Sequence, residues 1–171
     1  MRLLFVATLA LVSAAAAAAQ APSQTGQQTP AQIREAKGKA LVAKWAGSYD
    51  TDGFLNDPEI GPALKQLLGA EYDHLIVNLN VKGSVDLIGG TLVVSGNAPH
   101  GGTEEEAVVC VYPIGPAIQA AILSKGTITA YAPGATYDTT SICIRDWITQ
   151  VNSKHIDRFE QPKNVRVVKR P

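Results

Sequence analysis

Apolar positions in the first half of the chain recur every three or four residues, the spacing typical of helices that cover a core. The pattern predicts a first helix over 30–45, opened by a capping box between Thr29 and Gln32. It predicts a second helix that begins at Asp57-Pro58 and stops at Gly69, and a third, shorter helix within 70–79.

At Gly83 the pattern changes to short apolar runs separated by turn residues, which is typical of strands joined by hairpins. The pair Gly89-Gly90 suits a two-residue turn between the first two strands. Five strands are expected, at 84–88, 91–95, 106–112, 117–123 and 127–131, followed by a helix over 141–151 and an edge strand at 165–168. The predicted fold class is α+β, an antiparallel meander of about five strands with flanking helices, forming one domain over 31–171.

The N-terminal segment has a composition of its own. One basic residue precedes the apolar run 3–12, and small residues follow as far as Ala21. This order is typical of a secretory signal peptide over 1–21, and 22–30 is expected to be a flexible leader. The apolar run is too short for an anchor, and no later segment is apolar enough to span a membrane. The expected location is therefore the periplasm or the medium.

Charge and cysteine content narrow the choice of partners and cofactors. The 15 basic and 15 acidic residues balance, which argues against a nucleic-acid partner. In an oxidising compartment Cys110 and Cys143 are expected to form a disulfide between a central strand and the last helix. Such a bridge stabilises by about 4 kcal/mol in the chain-entropy model. The three histidines lie at no zinc-finger spacing, so no metal site is expected.

Motifs of catalysis are mostly absent from the chain. It has no nucleophile elbow, phosphate-binding loop, zinc-protease motif or dinucleotide fingerprint, and no cofactor is expected. The segment 50–53 resembles the start of a calcium loop but lacks the later ligands, so it is interpreted as an Asx-type turn between helices. Asp86 and the acidic residues 104–106 could supply a carboxylate pair for glycoside hydrolysis. An enzyme acting in the envelope is therefore kept as the least favoured hypothesis. We expect a protein that is not an enzyme.

The segment 95–103 between two predicted strands has unusual content for a hairpin loop. It holds a single imidazole, that of His100, directly after Pro99 and among small residues. Such a loop can project from the sheet and present the histidine to the cleft of a partner. The alternative is a long hairpin turn whose histidine is merely solvated.

Residues 89–102, with the following strand start 106–109, resemble the core of the inhibitor of vertebrate lysozyme (Ivy) family. In that family a protruding loop, Cys-Lys-Pro-His-Asp-Cys, lies between two strands. The order of helix, hairpin, Pro-His loop and meander matches over about 57–131. The resemblance implies export, an antiparallel sheet with flanking helices, and binding to c-type lysozymes, whose active-site cleft the loop histidine enters. Some members also restrain the cell's own lytic transglycosylases.

The inhibitory element that the resemblance implies is the loop Asn97–Gly102, in which Pro99 and His100 match the family motif directly. The other four positions differ: Asn97 and Gly102 stand where the family has its loop cysteines, Ala98 where it has lysine, and Gly101 where it has aspartate. A loop without the cysteine clamp is expected to be ordered only on binding, at a cost in entropy. We therefore expect weaker inhibition than by a clamped relative, or a different target.

The leading hypothesis is an inhibitor of a c-type lysozyme or a related peptidoglycan-cleaving enzyme. His100 would bond to one or both carboxylates of the cleft, and the acidic run 104–106 would attract a cationic enzyme. The second hypothesis is an envelope interaction protein of the same fold that binds another partner, such as a lytic transglycosylase. The sequence leaves open which enzyme is the target and whether the protein forms a homodimer.

Overall fold

The computed structural model describes residues 28–114, 117–152 and 157–170. The predicted signal peptide, and the leader as far as residue 27, lie outside these ranges. Within them, no helix combines the length and the apolar character that crossing a bilayer requires.

Five α-helices lie in the described ranges: α1 (Pro30–Trp45), α2 (Thr51–Leu55), α3 (Gly61–Leu68), α4 (Tyr72–Val77) and α5 (Ile142–Val151). The capping box predicted for α1 is present. The Thr29 hydroxyl accepts from the backbone N–H of Gln32 at 3.2 Å, and the Gln32 side chain accepts from the backbone N–H of Thr29 at 2.8 Å. The predicted bounds of this first helix are confirmed.

Two predictions in the helical half are wrong in detail. The second predicted helix, α3, begins at Gly61 instead of Asp57. The Asp57 carboxylate accepts hydrogen bonds from Trp45 Nε1 at 3.0 Å, from Lys44 Nζ at 2.8 Å and from the backbone N–H of Glu59 at 2.9 Å. These bonds hold the residues before Gly61 as a turn that fastens α3 to the end of α1.

The segment 50–53 is not a turn between two helices but the start of an additional helix, α2. The Asp50 side chain accepts from the backbone N–H of Gly53 at 2.9 Å, which is an N-cap bond. The local bond expected of an Asx-type turn is therefore present. It opens a helix of five residues, too short to show a periodic pattern.

The sheet has seven strands in the described ranges: β1 (Val81–Lys82), β2 (Asp86–Ile88), β3 (Thr91–Asn97), β4 (Glu105–Tyr112), β5 (Ala117–Ser124), β6 (Thr127–Ala132) and β7 (Val165–Lys169). Their order is β1-β3-β4-β5-β6-β7, with β2 also paired to β3. The prediction of about five strands is thus too low, although α+β is confirmed. β7 lies parallel to β6, because the chain crosses the sheet through α5 between them.

Both faces of the central strand β4 are buried, so helices cover the sheet on two sides. Ala107, Val109 and Val111 contact the core formed with α1 to α4. Val108 and Cys110 contact a second core that includes α5. The result is three layers, with the sheet in the middle.

The disulfide between Cys110 and Cys143 joins β4 to α5 across the second core. Its Cα atoms are 6.3 Å apart, within the ordinary range for a disulfide. The cysteines are separated by 33 positions along the chain, so the bridge constrains a long segment of the unfolded state. It is the covalent attachment of the α5 layer to the sheet.

Loss of this disulfide is expected to lower the free energy of unfolding by about 4 kcal/mol, since the unfolded chain regains its entropy. Urea unfolding of the wild type before and after reduction, and of Cys110→Ala/Cys143→Ala, measures the effect. The double variant is the control for the reductant, because its midpoint should not respond to it. An unchanged wild-type midpoint after full reduction would contradict the expectation.

Gly38 lies in the middle of α1, where helix propensity alone counts against glycine. A Cβ placed on it would lie 2.7 Å from the carbonyl oxygen of Pro113, in the turn after β4. The absence of a side chain therefore allows α1 to approach the sheet closely. Packing outweighs local propensity at this position.

Gly38→Ala is accordingly expected to lower the free energy of unfolding by about 1–3 kcal/mol, through overpacking, although alanine favours a helix. The neighbouring exposed position provides a matched control. Lys39→Ala should change stability by less than about 1 kcal/mol. Thermal or urea unfolding of both variants measures the change in stability. A stabilised Gly38→Ala protein would show that the close contact with Pro113 does not penalise a side chain at this position.

Candidate functional site

The loop between β3 and β4 is closed by backbone hydrogen bonds. Ala98 accepts from the N–H of Gly101 at 2.9 Å, which closes a first turn. Gly101 accepts from the N–H groups of Glu104 at 3.1 Å and Glu105 at 2.8 Å, which closes a second. Ala98 donates to the carbonyl of Glu105 at 2.9 Å and so joins the two ends of the loop. The segment is two consecutive tight turns on a strand pair.

His100 lies at the apex of the first turn. Its φ angle is 61°, and Pro99 precedes it, an arrangement typical of a type II turn with proline at the first central position. The side chains of Pro99 and His100 are both exposed. The fold thus presents the imidazole on a backbone that is held by hydrogen bonds.

The remaining predicted site residues frame this apex. Asn97 is the last residue of β3 and not part of the loop proper, and its Nδ2 donates to the carbonyl of Ala98 at 2.8 Å. A Cβ on Gly101 would lie 3.1 Å from Cβ of Ala98 and 3.2 Å from Cβ of Glu105. Gly102 is exposed. The six predicted residues therefore lie together. Three are half-buried and support the turn (Asn97, Ala98 and Gly101), and three are exposed (Pro99, His100 and Gly102).

The expectation that this loop is ordered only on binding stays a prediction. No disulfide closes it, yet backbone bonds hold both turns, and the Glu106 carboxylate accepts from the backbone N–H of Thr103 at 3.0 Å. The absence of a side chain at Gly101 allows this close folding, since a Cβ there would lie 3.1 Å from Cβ of Ala98.

A partly buried polar network includes Glu105, at the end of the loop. His74, on α4, contacts Glu71 through Nδ1 at 3.2 Å and Glu105 through Nε2 at 3.0 Å. The other Glu105 oxygen accepts from the Ser124 hydroxyl at 2.7 Å, and Asn78 Nδ2 lies 3.2 Å from Glu105 Oε2. Glu105 is also the residue whose backbone closes the loop. One residue thus belongs to both the network and the loop.

The two main partners of this network have opposite pKa shifts. The hydrogen bond to Glu105 raises the pKa of His74, burial opposes this, and the bond to Glu71 adds to the increase. Burial works to raise the pKa of Glu105, but hydrogen bonds from His74, Ser124 and Asn78 outweigh it and lower the pKa. Both shifts favour the ion pair.

Sequence reasoning did not identify His74 as part of the site. Its contact with Glu105 joins α4 to β4 across 31 positions of the chain, which no local pattern reveals. The spacing of Glu71 and His74, three residues apart on one helical face, was the available signal. It indicates the local pair but not the link to the loop.

A depression lies on the opposite side of the sheet from α1 to α4. A groove of about 960 Å³ separates the β2–β3 hairpin from α5. It shares Ser95, Trp147 and Gln150 with a smaller cavity of about 290 Å³ that ends at Thr103 and Glu106. The depression therefore leads to the base of the loop. Among the residues that the structure describes, no cluster of side chains could hold a metal ion.

Thr103 has a φ angle of 73°, a rare conformation for a β-branched residue. Thr103→Gly is expected to raise the free energy of unfolding by about 1 kcal/mol, because relief of strain exceeds the entropy lost by glycine. Thr127→Gly, at an exposed strand position without this strain, is the control and should be destabilised. Urea unfolding of the two variants compares them, and equal losses would contradict strain at Thr103.

Comparison with known proteins bears on the identity of this loop and its scaffold. Searches of curated proteins and of solved structures gave no significant match. The family described as "Inhibitor of vertebrate lysozyme (Ivy)" matches residues 59–154. The match covers more than half of the chain, from α3 to the end of α5, and includes the His100 loop. The chain therefore belongs to the inhibitor of vertebrate lysozyme family.

Proposed function

We propose that this protein inhibits a c-type lysozyme by placing the His100 loop in the active-site cleft of the enzyme. Membership of an inhibitor family supports inhibition in general. The observation that carries the finer proposal is the exposed imidazole at the apex of a hydrogen-bonded turn. The protein acts by binding and has no catalytic turnover of its own.

The chemistry of an imidazole suits the cleft of a glycoside hydrolase. Such a cleft holds a general acid and a second carboxylate several ångströms apart. A neutral imidazole offers one donor and one acceptor, and its cation offers two donors. His100 can therefore hydrogen-bond to either carboxylate while the turn at 98–101 occupies the space of a sugar ring.

The closure of the loop bears on the strength of binding. Ordering a flexible segment on association costs free energy, and a segment already in its bound shape avoids much of that cost. The bonds from Gly101 and Glu105 supply such order without a disulfide. These bonds favour a preorganised loop, whereas the missing cysteine clamp favours weaker inhibition than by a clamped relative.

Not all three glutamates of the acidic run 104–106 are equally placed to attract a cationic enzyme. Glu104 is exposed, whereas Glu105 faces His74 and Glu106 faces the backbone of Thr103. Glu104 is thus the member of the run best placed to accelerate association, and its effect should weaken as salt increases.

The proposal also includes export, as predicted from residues 1–21. The periplasm or the medium is where an enzyme that cleaves peptidoglycan meets its substrate. The alternative function is binding to a lytic transglycosylase, with the same loop and the same kind of carboxylate-containing cleft.

His100→Asn is expected to weaken inhibition of a c-type lysozyme at least about 30-fold, the effect of losing a central contact residue. Asparagine tolerates the positive φ angle of this position, so the turn is retained while the imidazole is lost. His100→Ala should act in the same direction. A muramidase assay with increasing inhibitor concentration measures the change.

Tyr49→Ala is the control, since this side chain is 84% exposed in the α1–α2 connection and far along the chain from the loop. Inhibition by His100→Asn equal to that of the wild type would exclude the histidine contact. If the folded, oxidised wild type does not inhibit at all, c-type lysozyme is not the target. The same variants would then be assayed on a lytic transglycosylase.

A further inference from the structure

We propose that His74, as an imidazolium held between Glu71 and Glu105, is a positioning residue that keeps the His100 loop in its presented shape. Protonation of His74 would then control how firmly the loop is held. The effect on inhibition rests on the proposed function, whereas the effect on the loop does not.

Glu105 connects the polar network around His74 to the loop. Its backbone N–H donates to Gly101 at 2.8 Å, and its backbone carbonyl accepts from Ala98 at 2.9 Å. Both ends of the turn that carries His100 are therefore bonded to this one residue. An interaction that holds Glu105 in place therefore restrains both ends of this turn.

The side chain of Glu105 is held by three residues. Ser124, on β5, donates to Oε1 at 2.7 Å, and Asn78, after α4, donates to Oε2 at 3.2 Å. His74 contacts Oε2 at 3.0 Å and is the titratable member of the set near neutral pH. We call these three bonds to the Glu105 carboxylate the anchor of the loop. A change in pH can weaken the anchor through His74.

The geometry favours the cationic form of His74. Both of its ring nitrogens face carboxylate oxygens, at 3.2 Å for Glu71 and at 3.0 Å for Glu105. A neutral imidazole has a single N–H and can donate to only one of them. Loss of the proton would set a nitrogen lone pair against a carboxylate oxygen, which is repulsive.

Other charged and titratable groups around His74 come from several elements. Asp73 is its neighbour on α4, and Tyr131 on β6 and Arg166 on β7 line the same cavity of about 470 Å³. Arg166 opposes a second cation, but its Nε is bonded to the Thr129 hydroxyl at 2.7 Å. The two carboxylates lie within hydrogen-bond distance of the His74 ring and favour its protonated form.

The sign of the pH dependence follows from the two directions of shift. The pKa of His74 is raised in the folded protein. The stabilisation from its protonated form is therefore complete below the ordinary pKa of 6.5 and is lost as pH rises through the folded pKa. The pKa of Glu105 is lowered, so its contribution is present above 4.5 and is lost as pH falls through the folded value. The anchor is strongest between these limits.

Amide hydrogen exchange followed by NMR tests the proposal on the isolated protein. Protection of the Gly101 and Glu105 amides should fall as pH rises, with a midpoint equal to the pKa measured from the His74 ring resonances. His74→Gln should reduce their protection about tenfold and remove the midpoint. Amides of β4 within the core, such as that of Val109, should show neither effect.

A second variant keeps the test valid if His74→Gln is poorly folded. Glu71→Gln removes one carboxylate at a side chain that is 45% exposed, and it should move the midpoint to lower pH. Glu59→Gln is its matched control, because Glu59 is 43% exposed in an ion pair with Lys37 and does not contact His74. Its midpoint should equal that of the wild type.

The outcomes separate this inference from the proposed function. Loop protection without a pH midpoint, or unchanged by His74→Gln, would overturn the positioning role even if the protein inhibits lysozyme. The expected midpoint in a protein that inhibits no lysozyme would support the anchor and refute the proposed target. Where lysozyme is inhibited, the inhibition of the wild type should weaken across the same midpoint, and that of His74→Gln should not follow it.

Discussion

Burial of both faces of β4 is the constraint on which the rest of the structure depends. A strand with apolar side chains on both sides must be covered on both sides, or its valines would remain in water. Helices α1 to α4 cover one face and α5 covers the other. The chain forms α5 between β6 and β7, and β7 pairs with β6 in parallel.

The same strand connects the scaffold to the candidate site. Glu105, its first residue, closes the loop through its backbone and enters the network with His74 through its side chain. Cys110, five positions later, fastens the α5 layer. The loop is therefore not a surface addition to the sheet. It leads directly into β4, whose two faces are both buried.

Features encoded by neighbouring residues were predictable from the sequence. The capping box at Thr29 and the glycine turn between β2 and β3 depend on contacts within a few positions, and the structure contains both. The start of α3 was not predictable, because Asp57 takes hydrogen bonds from Lys44 and Trp45 on another helix. The parallel direction of β7 was not predictable either. The pattern of apolar residues in a strand does not show which strand it pairs with or in which direction. The two-residue β1 is too short to form a pattern.

The candidate site divides in the same way. The Pro99-His100 pair in a loop of small residues was visible in the sequence, whereas the bonds that hold the loop join residues brought together by the fold. Closure by hydrogen bonds has a chemical consequence that closure by a disulfide lacks. A thiol reductant that opens the bridge at Cys110 loosens the attachment of α5, but it breaks no covalent bond in the loop. The surface proposed to face a partner thus contains no bond that a thiol reductant can break, unlike the scaffold behind it.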